Sequence, residues 1–260
     1  MDLALATVMD WLAQHMWPLT RVSSMLLSMA VLSGTTITPR IKILLAVAII
    51  FAVSPALPAV TAEYDPISPE SMLITAQQIL IGVALGFASL MVLQTFVLAG
   101  QAIAMQIGLG FASMVDPTNG QTVPVVSQFF LMLATLLFLA VDGHLLMFRF
   151  VMESFTAIPI GTSGLSTDAM WRIVNWGSIM YAAALTTMLS AIIALLLVNF
   201  AFGVMTRASP QLNIFSIGFP ITMVGGLIIL WLTVGGFLTH FELQWARGVT
   251  LMCEIIERQC

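Results

Sequence analysis

Residues 71–115 read SMLITAQQILIGVALGFASLMVLQTFVLAGQAIAMQIGLGFASMV, without a single Asp, Glu, Lys or Arg. A bilayer span needs about 20 consecutive, mostly apolar residues, so this stretch exceeds one helical span and must bend or break within itself. Residues 22–39, 43–62, 117–141, 173–206 and 208–241 are equally free of ionised groups. The whole chain is 60% hydrophobic and 8% charged, against roughly 25% charged in an ordinary soluble domain. These windows predict an all-α membrane protein of about six long hydrophobic helices. No stretch between them is long or polar enough to fold separately, so residues 1–260 read as one membrane domain.

Net charge is −4 and no basic run occurs, which removes electrostatic support for a nucleic-acid partner. The N-terminus, Met1 to Pro18, carries Asp2 and Asp10 and no basic segment before its apolar residues, so it does not resemble a cleaved signal peptide. Cys253 and Cys260 are seven residues apart. On a continuing helix that spacing separates them by two turns, too far for a disulfide, and unpaired thiols are expected.

Charge placement suggests an orientation. Arg40 and Lys42 sit in a short loop before the second segment, Ile43 to Pro58, and mark the cytoplasmic side. The next loop carries Glu63, Asp65 and Glu70 without a basic residue. Alternation then runs Met72 to Leu98 inward, Val125 to Val141 outward, Ile179 to Met205 inward and Pro220 to Leu238 outward, leaving both termini outside. Arg149, Arg172, Arg247 and Arg258 run against that assignment. Trp171, Trp176, Tyr181 and Trp245 fall where interfacial aromatics are expected.

Small residues mark helix contacts in apolar surroundings. Gly82 and Gly86 form one such pair, and Gly100, Ala104, Gly108 and Ala112 repeat every four residues along a possible helix face. Packing within the subunit and packing between subunits are both open at this point.

Two stretches interrupt the apolar pattern. From Gly100 to Pro124 the chain contains Gln101, Gln106, Gly108 and Gly110, then the turn sequence Asp116-Pro117-Thr118-Asn119-Gly120. It is too polar for a lipid-facing helix and too apolar for a wet loop, which predicts burial in protein or the lining of a cavity. A re-entrant constriction fits, closed by Phe111, Met114 and Val115, since apolar rings gate by dewetting; a loop packed over the bundle is the alternative. The second stretch is Arg207 to Pro220. Arg207 is placed to cap the carbonyl end of the fifth segment, Pro210 to stop it, and Pro220 to open the next. Gln211 and Asn213 offer amides in the turn between, giving either a plain hairpin or a docking point.

Chemistry has no candidate set. His15, His144 and His240 are isolated in sequence, and no paired carboxylates, metal motif or nucleophile-base pair occurs. Asp142, His144, Arg149 and Glu153 read as the wet outer end of the fourth helix, which leaves a small-ion carrier weakly supported. No catalytic, cofactor or metal residue is expected.

The segment Gly100 to Pro117, GQAIAMQIGLGFASMVDP, resembles a signature of the FliR family, the R subunit of the flagellar type III protein export gate. Arg207 to Pro220, RASPQLNIFSIGFP, is similar to that family's second signature, and the resemblance extends over nearly the whole chain. It implies a non-enzymatic subunit of the bacterial inner membrane and flagellar basal body. Such a subunit joins copies of FliP and FliQ in a closed helical ring, with the FlhB switch protein on its cytoplasmic face, and exports unfolded flagellar proteins. By the same resemblance residues 106–123 form a plug-like loop, with Gly108, Leu109, Gly110, Phe111, Met114, Val115, Asp116 and Pro117 in the pore. Family members commonly have Phe where this chain has Met114, a flexible apolar filler. Helix packing would fall to Gly82, Gly86, Gly100 and Ala104. The cytoplasmic hairpin, 207–220, would contact partners through Arg207, Pro210, Gln211, Asn213, Phe215, Gly218 and Pro220. The homologous injectisome subunit shares this architecture.

Overall fold

The computed structural model describes residues 2–34, 37–57, 68–111, 113–115, 122–208 and 218–258. Among these the order is α1 (Asp2–Ser28), α2 (Pro39–Val53), α3 (Pro69–Ile107), β1 (Ser113–Val115), β2 (Thr122–Pro124), α4 (Val125–Ala140), α5 (Gly143–Ala157), α6 (Thr167–Ala208), α7 (Phe219–Val234) and α8 (Phe237–Ile255). The protein is an all-α membrane protein with one small β-ribbon.

Among the described residues the span count is lower than six. Among the described residues, α3, with 39 residues, and α6, with 42, are the helices long and apolar enough to cross a membrane alone. The α4–α5 and α7–α8 pairs, each bent at a short break, raise the number to four if each is one span. Two expected spans fail for physical reasons. The 15 residues of α2 reach about 22 Å at 1.5 Å per residue, short of a hydrocarbon core of about 30 Å. Helix α1 carries Asp2, Asp10, His15, Arg21 and four hydroxyl residues in its second half. Residues Asp142 to Glu153, expected as the end of the fourth helix, belong largely to α5: Asp142 adopts a left-handed φ of 54° and breaks the path.

The chain divides into two compact units. The first comprises residues 1–91, 139–177 and 247–260. Here α1 lies against α3 at Gly82 and Gly86. A Cβ on Gly82 would collide with Ser24 Oγ and the Arg21 carbonyl oxygen; one on Gly86 would collide with Ser28 Oγ and lie 2.6 Å from Met25 O. The α1 serines fold back on their own helix, Ser24 Oγ donating to Arg21 O at 2.9 Å and Ser28 Oγ to Ser24 O at 2.9 Å, so they add little bulk. Higher up, Ala30 N donates to Ser89 Oγ at 3.1 Å. Trp17 is fully buried beside Ile74 and donates Nε1 to Thr75 Oγ1 at 3.2 Å.

The second unit comprises residues 92–138 and 178–246. Its centre is aromatic: Phe96 lies with its ring centroid 4.8 Å from Phe237 and 5.8 Å from Phe241, and Phe130 meets Phe237 edge-on at 5.3 Å. Such offset and edge contacts suit the ring quadrupoles. Trp245, expected at a membrane interface, is buried and packs edge-on against Phe138 at 5.1 Å. Trp176 is buried too, whereas Trp171 and Tyr181 are exposed. Composition marks a position as interfacial but does not show which side of the helix faces protein.

The cysteine expectation is overturned: Cys253 is disulfide-bonded. The helical spacing that argued against it ends at Ile255, because Glu257 turns left-handed with φ 55° and Arg258 N donates back to Cys253 O at 2.9 Å.

Candidate functional site

The segment singled out as a plug begins where α3 stops. Gly100 and Ala104 are on the helix and hold it close to α4: a Cβ on Gly100 would sit 2.7 Å from Ser127 Cα, and Ala104 is fully buried. The four-residue stripe does not continue as a helix face. Gly108 takes φ 88°, donates its N–H to Met105 O at 3.2 Å and ends the helix. L-residues with side chains rarely adopt such a φ, so glycine here is a conformational requirement. One 3-10 turn, Leu109–Phe111, follows, and a Cβ on Gly110 would lie 2.5 Å from Met105 Sδ.

The chain then forms an antiparallel ribbon in place of a helix or plain loop. Ser113 pairs with Pro124, Met114 with Val123 and Val115 with Thr122. Met114 and Val115 therefore stand on a short hairpin whose backbone groups are tied across the strands, a stiffer support than a free loop. Asp116 and Pro117 lie outside the described residues. Beneath the start of this segment Ile107 is fully buried, and a Cβ on Gly226 of α7 would meet its side chain at 2.5 Å.

Gly108→Val is expected to destabilise the purified protein by about 1–2 kcal/mol through forced left-handed backbone. Gly108→Asn, which tolerates that region better, should lose less. Thermal unfolding of both variants in detergent checks the order; equal melting temperatures for Gly108→Val and the parent would contradict it.

Of the second stretch, Arg207 lies in the last turn of α6, Gly218 precedes α7 and Pro220 occupies its first turn. Pro210, Gln211, Asn213 and Phe215 lie outside the described residues.

Sequence reasoning passed over Arg21. It is fully buried in the first unit and has no carboxylate partner among the described residues. Nε donates to Gln78 Oε1 at 2.7 Å, Nη1 to Ser154 O at 2.8 Å and Ser154 Oγ at 3.0 Å, and Nη2 to Ile158 O at 2.9 Å. Its guanidinium carbon lies 4.4 Å from the Phe155 ring centre. The cation thus caps the carbonyl end of α5, where the helix dipole favours it, and joins α1, α3 and α5. The available signal was position: Arg21 borders a charge-free window and is followed by Ser23, Ser24 and Ser28 on the same helix.

Long apolar helices, close glycine contacts and a buried polar clasp define an all-α membrane protein. Residues 12–248 match the family of bacterial export proteins, family 1. The chain is 37% identical to the flagellar biosynthetic protein FliR of Escherichia coli K12 over 85% of its length and 84% of that relative. It is also 37% identical to the protein of that name from Pectobacterium carotovorum, over 96% of this chain and 95% of the relative. The Bacillus subtilis protein is 29% identical over 61% of this chain and 62% of its own length. The chain belongs to this FliR family of bacterial export proteins.

Proposed function

We propose that this chain is a structural and gating subunit of the flagellar type III export gate, without enzymatic activity. In this reading it joins FliP and FliQ in a helical ring in the inner membrane at the flagellar basal body, with FlhB at the cytoplasmic hairpin 207–220. Residues 106–123 seal the pore through which unfolded flagellar proteins leave.

The observation that supports a subunit over a free-standing carrier is α6. Its 42 residues span about 63 Å at 1.5 Å per residue, twice a hydrocarbon core of about 30 Å. Only 17% of its most apolar stretch is buried, and exposed apolar side chains run from Val174 and Ile179 through Leu185, Ile193 and Phe200 to Met205, about 46 Å along the axis. One bilayer thickness cannot cover that surface, so neighbouring protein must cover the rest. The relatives' flagellar names favour the flagellar system over an injectisome.

The plug reading is supported by the uncharged run Gly108 to Val115 and by the hairpin that carries Met114 and Val115. Apolar constrictions block hydrated ions by dewetting. Replacing Leu109, Phe111 and Met114 with serine should raise ion leak across membranes containing the assembled complex while the complex still forms. Membranes as tight as the parent's would count against the plug.

A further inference from the structure

Several restraints converge on the last turn of α8 and the residues just after it. Met252, Ile255 and Ile256 are buried, and Cys253 is 6% exposed. Past the helix, Glu257 N donates to Glu254 O at 3.2 Å and Arg258 N to Cys253 O at 2.9 Å, closing the turn. Two ion pairs pin the same few residues to other elements of the first unit. Arg258 Nη1 lies 3.0 Å from Glu153 Oε2 on α5, and Glu254 Oε2 lies 3.0 Å from Arg172 Nη1 on α6. Glu153 is itself held by Arg149 at 2.8 Å. Cys253 is disulfide-bonded, and the chain contains one other cysteine, Cys260.

We infer that Cys253 and Cys260 form an intramolecular disulfide that fastens the C-terminal tail, and that it is made and kept on the oxidising, non-cytoplasmic face of the membrane. The pairing follows from the count of cysteines, and the helical spacing that would hold them apart ends before Cys260, at the left-handed Glu257. The compartment rests on the export-gate reading, in which the hairpin 207–220 is cytoplasmic and α7 and α8 lead away from it; disulfides persist in oxidising compartments and are reduced in the cytosol. The reaction is thiol–disulfide exchange with an external protein disulfide. One cysteine thiolate attacks a sulfur of the oxidant and forms a mixed disulfide. The second thiolate displaces the oxidant, which leaves as a dithiol; the two cysteines have lost two electrons and two protons, and the oxidant has gained both. Burial of Cys253 then shields the product from small reductants.

The test uses the full chain in whole cells. Cells are quenched in acid, free thiols are blocked with a small maleimide, and a polymer-linked maleimide is added before or after reduction. The parent should show two polymer additions after reduction and none before it, and should migrate as a monomer on a non-reducing gel. Cys253→Ser should leave Cys260 open to a membrane-impermeant maleimide in intact cells without reduction; the double serine variant is the unlabelled control. No polymer addition to the parent after reduction, which would mean that both thiols were free when they were blocked, or a disulfide-linked dimer, would overturn the pairing. Labelling of the Cys253→Ser variant only after permeabilisation would overturn the compartment. Thiol state is read on this chain whether or not flagella assemble, so failure of the gate reading is scored separately by motility.

Discussion

Arg21→Ala is expected to destabilise the first unit by about 3–5 kcal/mol, the range seen when one partner of a buried charged network is removed. The truncation takes the donor from four buried acceptors, Gln78 Oε1, Ser154 O, Ser154 Oγ and Ile158 O. It also empties the space beside Phe155. Each orphaned acceptor carries a desolvation penalty of about 1–3 kcal/mol that relaxation only partly relieves. A loss of that size is a large share of a typical folding free energy of about 5–15 kcal/mol. Arg21→Lys keeps the charge, but a point ammonium cannot reproduce a planar fork that reaches α3 and the end of α5 at once, so it should recover only part of the loss. Arg21→Met restores stem volume without donors and should fall between lysine and alanine. Thermal unfolding in detergent and steady-state abundance in membranes give the order; an Arg21→Ala variant as stable as the parent would remove the clasp from the description of this unit.

Gly86→Leu should damage the same unit from the other side of the α1–α3 contact. The added carbon would strike Ser28 Oγ and sit 2.6 Å from Met25 O and 2.9 Å from Met29 N. Two of these are backbone atoms that no rotamer change can move, so the loss should reach or exceed the upper end of the roughly 1–3 kcal/mol typical of overpacking. Gly203→Ala is the matched control: nothing lies within 4 Å of its Cβ position on α6, and an alanine in an exposed helix interior gains roughly 0.5–1 kcal/mol over glycine. Gly82→Ala touches the Arg21 carbonyl directly, so its effect should combine less than additively with Arg21→Ala, as neighbours in one network do. Double-variant melting curves measure that coupling, and full additivity would show that the glycine contact and the arginine clasp act independently.

The contrast between these sites explains what the sequence made legible. Charge-free windows report wherever ionised groups are absent, so they located the cores of α3, α4, α6 and α7 well. They do not distinguish lipid from protein as the covering medium, which is why α2 read as a span although its 15 residues are too short. Gly82 and Gly86 were visible as a pair, but their partner, the serine-lined face of α1, is set by tertiary packing. The ribbon of Ser113–Val115 with Thr122–Pro124 was hidden because three residues per strand give no periodicity to read. Arg21 went unnoticed because its acceptors lie up to 137 positions away in the chain. The cysteine spacing misled because a helical ruler was applied past Glu257, where the helix has ended.

Partner capture from native membranes tests the subunit reading most directly. A tagged copy of this chain, extracted in mild detergent and purified, should bring down FliP and FliQ in a stable complex, with the exposed face of α6 protected from surface labelling relative to the chain expressed alone. A chain that purifies without them and by itself moves ions or small solutes across liposomes would contradict the export-gate assignment.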